Sequence, residues 1–75
     1  MKVGELIKYL KTVDPELLVV VDGYEDGVDE AAEPRQVTLR LNVHIGKPYF
    51  GKHDIISPAE EGSVEAIFLS REEER

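Results

Sequence analysis

The sequence predicts an α+β fold, in which one N-terminal amphipathic helix packs on a three- to four-stranded, mainly antiparallel sheet. Three patterns indicate this fold. Residues 3–13 carry apolar side chains at helical spacing, and residues 36–44 alternate between apolar and polar side chains. Residues 17–22 and 63–70 are short apolar runs, rich in β-branched side chains or partly alternating, and are typical of strands.

The predicted helix covers residues 3–13. Its apolar side chains recur three or four positions apart, and the opposite side is mostly lysine. Asp14-Pro15 ends the helix, because the residue before a proline avoids the α-helical region.

The run Leu17–Val21 is predicted to form a strand buried on both faces, and therefore central in the sheet. An acidic loop is expected to follow over residues 22–34. The strand at 36–44 is expected to pair with the strand at 63–70, since consecutive strands are usually neighbours. Its polar face would then present four side chains to solvent or to an oligomer interface: Thr38, Arg40, Asn42 and His44. The pair Tyr49-Phe50 is a candidate for a short edge strand.

The 75 residues leave room for one domain, predicted at residues 1–70, with residues 71–75 as a charged C-terminal tail. The sequence has no cysteine, which excludes disulfides, cysteine nucleophiles and thiolate metal sites. It has no apolar run near the roughly 20 residues that cross a bilayer, and no N-terminal signal peptide. We therefore expect a complete cytoplasmic protein with no membrane association.

Charge is segregated along the chain, whose net charge is −7. Residues 14–33 contain eight acidic residues and no basic one, whereas residues 35–53 contain four basic residues and no acidic one. The overall sign disfavours nucleic acid and anionic lipid as partners. The basic segment is instead expected to meet another protein or a second copy of this chain.

The acidic loop invites comparison with a calcium-binding EF-hand loop. Several residues fall in register with that pattern: Asp22, Asp26, Gly27, Glu30 and Glu33. Tyr24, however, stands where the third position needs an oxygen ligand, and the preceding element is predicted to be a strand rather than a helix. We therefore predict no metal site. A weak cation or small-ligand site in residues 22–33 is the alternative function.

The two histidines do not indicate catalysis. His53-Asp54 is a minimal general-base arrangement, but no nucleophile at a strained turn and no third orienting group accompanies it. His44 and His53 fit no zinc-ligand spacing. We therefore predict that the chain is not an enzyme and holds no cofactor.

Several motifs resemble those of a group of small uncharacterised bacterial and phage-borne proteins. These are Val3-Gly4-Glu5-Leu6-Ile7, Leu10, Asp14-Pro15, Val19-Val20-Val21-Asp22-Gly23-Tyr24-Glu25-Asp26-Gly27, Asn42-Val43-His44 and Tyr49-Phe50-Gly51-Lys52-His53-Asp54. The resemblance spans roughly residues 3–54. It implies no activity, and no catalytic residue carries over from it.

The sequence thus favours a non-enzymatic protein-interaction module or accessory subunit that forms a homo-oligomer. In the predicted dimer, the basic segment of one copy meets the acidic loop of its mate, and apolar residues such as Phe50 and Leu69 supply most of the affinity. The candidate binding residues are Tyr24, Glu25, Asp26, Arg40, His44, Tyr49, Phe50 and His53.

Overall fold

The computed structural model describes residues 1–72. The elements in chain order are α1 Val3–Leu10, β1 Val20–Asp22, β2 Val28–Glu30, β3 Arg35–Arg40, β4 Asp54–Ile56 and β5 Val64–Phe68. They fall into two compact units. The first consists of Met1–Glu33 and the chain from Leu69 onward, and the second of Pro34–Phe68. The predicted α+β class is confirmed, with antiparallel sheets of two and three strands.

In the first unit, α1 is shorter than the predicted helix over residues 3–13. At its start, the carboxylate of Glu5 accepts a hydrogen bond of 2.8 Å from the backbone N–H of Lys2. At its end, the hydroxyl of Thr12 donates a hydrogen bond of 2.7 Å to the carbonyl of Tyr9. The backbone N–H of Thr12 donates to the same carbonyl at 3.0 Å, so the chain closes in a three-residue turn and the helix ends before Asp14-Pro15. No helix among the described residues is long and apolar enough to cross a membrane.

The strand predicted at residues 17–22 was expected to be central in the sheet, and this is wrong. Residues 20–22 alone form β1, which pairs with β2 in a separate two-stranded antiparallel sheet. A turn closed by the hydrogen bond from the Leu17 N–H to the Asp14 carbonyl precedes it. The strand β2 lies inside the predicted acidic loop. The turn between β1 and β2 contains Glu25 and Gly27 at positive φ, which lets the chain reverse there.

The C-terminal chain of the first unit is paired further than predicted. The N–H of Ala32 donates to the carbonyl of Ser70 at 2.7 Å, and the N–H of Glu72 donates to the carbonyl of Glu30 at 3.0 Å. Arg71 forms an isolated antiparallel bridge with Ala31. The tail predicted to start at residue 71 is therefore held at its first two residues, and residues 73–75 lie outside the described residues.

In the second unit, the strand order is β4-β3-β5 and both pairings are antiparallel. The predicted pairing of the strand at 36–44 with the strand at 63–70 is confirmed by the contact of β3 with β5. The prediction that the first of these strands reaches residue 44 is wrong. Asn42 adopts φ 58°, in the left-handed region, so the chain turns after Arg40. Tyr49-Phe50 also lies in a turn rather than in an edge strand.

The three-stranded sheet has one mainly apolar and one mainly polar face. Residues directly opposed in antiparallel strands point to the same face. The register therefore places these side chains together on the apolar face: Val37, Leu39, Ile55, Val64, Ala66 and Phe68. Val37 is 8% exposed and is the one buried hydrophobic residue among residues 1–72. The opposite face carries the polar residues Gln36, Thr38, Arg40, Asp54 and Glu65.

Candidate functional site

On the polar face of the three-stranded sheet, Glu65 accepts two hydrogen bonds from β3. Its Oε1 accepts from the Gln36 Nε2 at 3.1 Å, and its Oε2 accepts from the Thr38 hydroxyl at 2.6 Å. The bond from Thr38 and then the bond from Gln36 favour the ionised carboxylate and lower the pKa of Glu65 below its ordinary value. Both carboxylate oxygens of Glu65 thus accept hydrogen bonds that join β5 to β3.

Replacing Glu65 by glutamine is therefore expected to lower the free energy of unfolding at neutral pH. Because the folded-state pKa of Glu65 is depressed, its stabilisation is present above the ordinary value of 4.5 and is lost as pH falls through the folded-state pKa. Urea unfolding of the two chains should differ at neutral pH and converge in acid. Glu61→Gln is the control, because its carboxylate makes no side-chain hydrogen bond among residues 1–72. A difference between wild type and Glu65→Gln that is independent of pH would contradict this account.

Arg40, a predicted binding residue, is engaged within the chain. Its Nε donates to the Oε1 of Glu60 at 3.0 Å, and one of its terminal nitrogens contacts the same oxygen. The hydrogen bond to Glu60, followed by the attraction of that charge, raises the pKa of Arg40 above its ordinary value. Both side chains are about half exposed. Arg40 is therefore less available to the acidic loop of another copy than the sequence predicted.

His44, Phe50 and His53 come together around the loop that follows β3. The Nε2 of His44 lies 2.7 Å from the Oδ1 of Asp54, and its ring stacks on Phe50 with ring centroids 5.1 Å apart. The backbone N–H of Asn42 donates to the Nδ1 of His53 at 2.9 Å. The sequence suggested His53 as the partner of Asp54, whereas the structure pairs Asp54 with His44. The two histidine side chains thus connect this loop to the start of β4.

The contact between His44 and Asp54 supplies one part of a general-base arrangement, an imidazole oriented by a carboxylate. A histidine oriented by a carboxylate needs a nucleophile or substrate group within hydrogen-bond reach. Within residues 1–72, no hydroxyl donates a hydrogen bond to either imidazole, and no group of three or more His, Asp or Glu side chains could hold a metal ion.

The predicted residues Tyr24, Glu25 and Asp26 lie in the first unit, in the turn between β1 and β2. The Oδ1 of Asp26 accepts a hydrogen bond of 2.8 Å from the N–H of Gly27, and the guanidinium of Arg71 lies 5.3 Å from the centre of the Tyr24 ring. These contacts stabilise the turn. The last predicted residue, Tyr49, lies in the second unit and is 96% exposed.

The surface that the sequence did not identify is the apolar run at β1. Leu17, Leu18, Val19 and Val20 are 47–73% exposed. The sequence indicated their apolar character, but the prediction of a doubly buried strand assigned them to the core. Only Val20 of this run belongs to β1, and Leu17–Val19 lead into the strand. A continuous exposed apolar run is typical of an interface with another polypeptide.

The helix of the same unit has a second apolar stripe. Val3, Ile7 and Leu10 lie on one side of α1 and are 46–53% exposed, and no residue of α1 is buried. A helix of eight residues gains most of its stability from packing such a stripe. Both secondary-structure types of the first unit thus present apolar surface.

Comparisons with protein-family models, with curated proteins and with solved structures found no match to this chain. The resemblance to small bacterial and phage-borne proteins therefore stays a prediction.

Proposed function

We propose that this chain is a non-enzymatic protein-interaction module that works as a homo-oligomer in the cytoplasm. The observation that carries the proposal is the exposure of Leu17–Val20 beside β1. Removing apolar surface from water stabilises an association by about 25 cal/mol per Å². Val37 is the single buried hydrophobic residue among residues 1–72. Burial of the exposed run in an interface would therefore add stabilisation that the core of one chain does not supply.

The polar groups support the same proposal. Arg40, Glu65 and the His44–Asp54 pair are used in contacts within the second unit. None of them orients a nucleophile, and no cluster of metal-ligating side chains lies among residues 1–72. The absence of cysteine fits a reducing compartment, which supports the cytoplasmic assignment.

Sedimentation of the purified wild-type chain over the micromolar range tests the proposal. We expect a reversible equilibrium between the 8.4 kDa chain and a larger species. Exposed ion pairs contribute only about 0–1 kcal/mol each, so the affinity should fall modestly with added salt. An 8.4 kDa species alone at high micromolar concentration would refute the homo-oligomer.

A further inference from the structure

The exposed apolar stripe of α1 is bordered by positive charge. At 100° per residue, Val3, Ile7 and Leu10 fall within one narrow sector of the helix. Lys11, at the C-cap, lies beyond one side of this sector, and Lys2 is the N-cap residue directly before Val3. A partner surface for this stripe should therefore be apolar with acidic borders.

The exposed run Leu17–Val20 has the opposite borders. Glu16 precedes it and Asp22 follows it, and no basic residue occurs from residue 14 to residue 33. The side chains of Glu16 and Asp22 make no hydrogen bond to another side chain among residues 1–72, so both remain available to an incoming cation. A partner surface for this run should be apolar with basic borders.

Contacts between two copies of the same surface bring like charges together. Two copies of α1 packed stripe to stripe would bring lysines near lysines. If residues 16–22 of two copies paired antiparallel about Val19, Glu16 of one copy would lie opposite Asp22 of the other. Like charges that are directly opposed destabilise a strand pair.

Both repulsions between like charges are removed when unlike surfaces meet, which we call the crossed arrangement. We infer that α1 of one copy covers the apolar run Leu17–Val20 of a second copy, and that the reciprocal contact forms about a two-fold axis. Each contact then joins apolar surface to apolar surface and lysines to carboxylates, and two-fold symmetry repeats it. This inference rests on the proposed function, because it names the surfaces through which the homo-oligomer forms.

The dimensions are compatible. The nine-residue step from Lys2 to Lys11 rises about 13 Å along a helix. The six-residue step from Glu16 to Asp22 spans at most about 20 Å, the length of an extended chain, because Glu16 lies in the turn before β1. The flexible four-carbon stem of lysine spans the remaining difference.

Charge reversal with mixing tests the arrangement. One variant combines Lys2→Glu with Lys11→Glu, and the other combines Glu16→Lys with Asp22→Lys. Each variant alone sets like charges against each other in both contacts, and we expect its self-association to weaken about tenfold or more. An equimolar mixture restores opposite charges in both contacts, and sedimentation should show association at the wild-type level.

The mixture distinguishes this inference from its rivals. If α1 covers the run of its own chain, mixing two charge-reversed chains restores nothing, and that result would overturn the inference. The double variant Lys47→Glu with Lys52→Glu makes the same change of charge in the second unit and should associate like wild type. Dissociation of that variant, with wild-type behaviour of the other two, would equally overturn it.

Two further outcomes separate this inference from the proposed function. Wild-type chain that remains monomeric refutes the homo-oligomer itself. Wild-type chain that associates, with both charge-reversed variants associating equally well, refutes the crossed arrangement alone. Circular dichroism of each variant verifies folding, and the single changes Lys11→Glu and Glu16→Lys replace any pair that fails to fold.

Discussion

Replacing Leu18 by aspartate is expected to dissociate the oligomer while leaving the chain folded. Leu18 is 73% exposed in the isolated chain, so a carboxylate there meets solvent and disturbs no internal packing. In the oligomer the same carboxylate would be buried without a partner, at a cost of several kcal/mol. The dissociation constant measured by sedimentation should therefore rise about 100-fold or more.

Ile45→Asp is the matched control for Leu18→Asp, because it places the same charge on an apolar residue of the second unit that is 67% exposed. It should leave both association and folding unchanged. Two results would oppose the account: equal association of Leu18→Asp and wild type, or loss of the folded circular dichroism spectrum in Leu18→Asp under all conditions. The second result would mean that Leu18 belongs to the core of its own chain.

Replacing Val37 by aspartate is expected to unfold the chain. Val37 lies in the middle of β3, on the apolar face of the three-stranded sheet, and is 8% exposed. The free energy of unfolding for 75 residues is roughly 4–11 kcal/mol. An unpaired carboxylate at a buried site costs several kcal/mol and consumes most of it. Circular dichroism and the dispersion of amide proton shifts should both report an unfolded chain.

Two companion variants define the effect at Val37. Val37→Ala removes apolar surface without adding charge, and it should cost about 2 kcal/mol and leave a folded protein with a lower midpoint of unfolding. Ile67→Asp places the same carboxylate on β5, facing the polar side of the sheet at a half-exposed position, and should be tolerated. A folded Val37→Asp with unchanged stability would contradict the assignment of the core.

Local patterns predicted the parts of the fold that local forces determine. The apolar spacing of residues 3–13 predicted α1, and the alternation after residue 36 predicted β3. The same alternation continues to His44, but the left-handed conformation of Asn42 ends the strand at Arg40. The short strand β4 has three residues, which is too few for a periodic pattern.

Long-range partners were harder to predict. Arg40, His44, Phe50 and His53 were all identified from residue type, yet the pairing of His44 with Asp54 depends on how the loop after Arg40 folds. The apolar run at Leu17–Val20 shows a second limit. Its composition indicates burial, but composition does not say whether the covering surface comes from the same chain or from another. The structure leaves the run exposed, and this difference led to the proposed interface.

Nuclear Overhauser effects between copies test the central claim most directly. In an equimolar sample of isotope-labelled and unlabelled wild-type chain, an isotope-filtered experiment detects only contacts between different copies. We expect such contacts between the methyl groups of Ile7 or Leu10 in one copy and those of Leu18 or Val20 in the other. An oligomer in which these methyl groups show no contact between copies would contradict the claim.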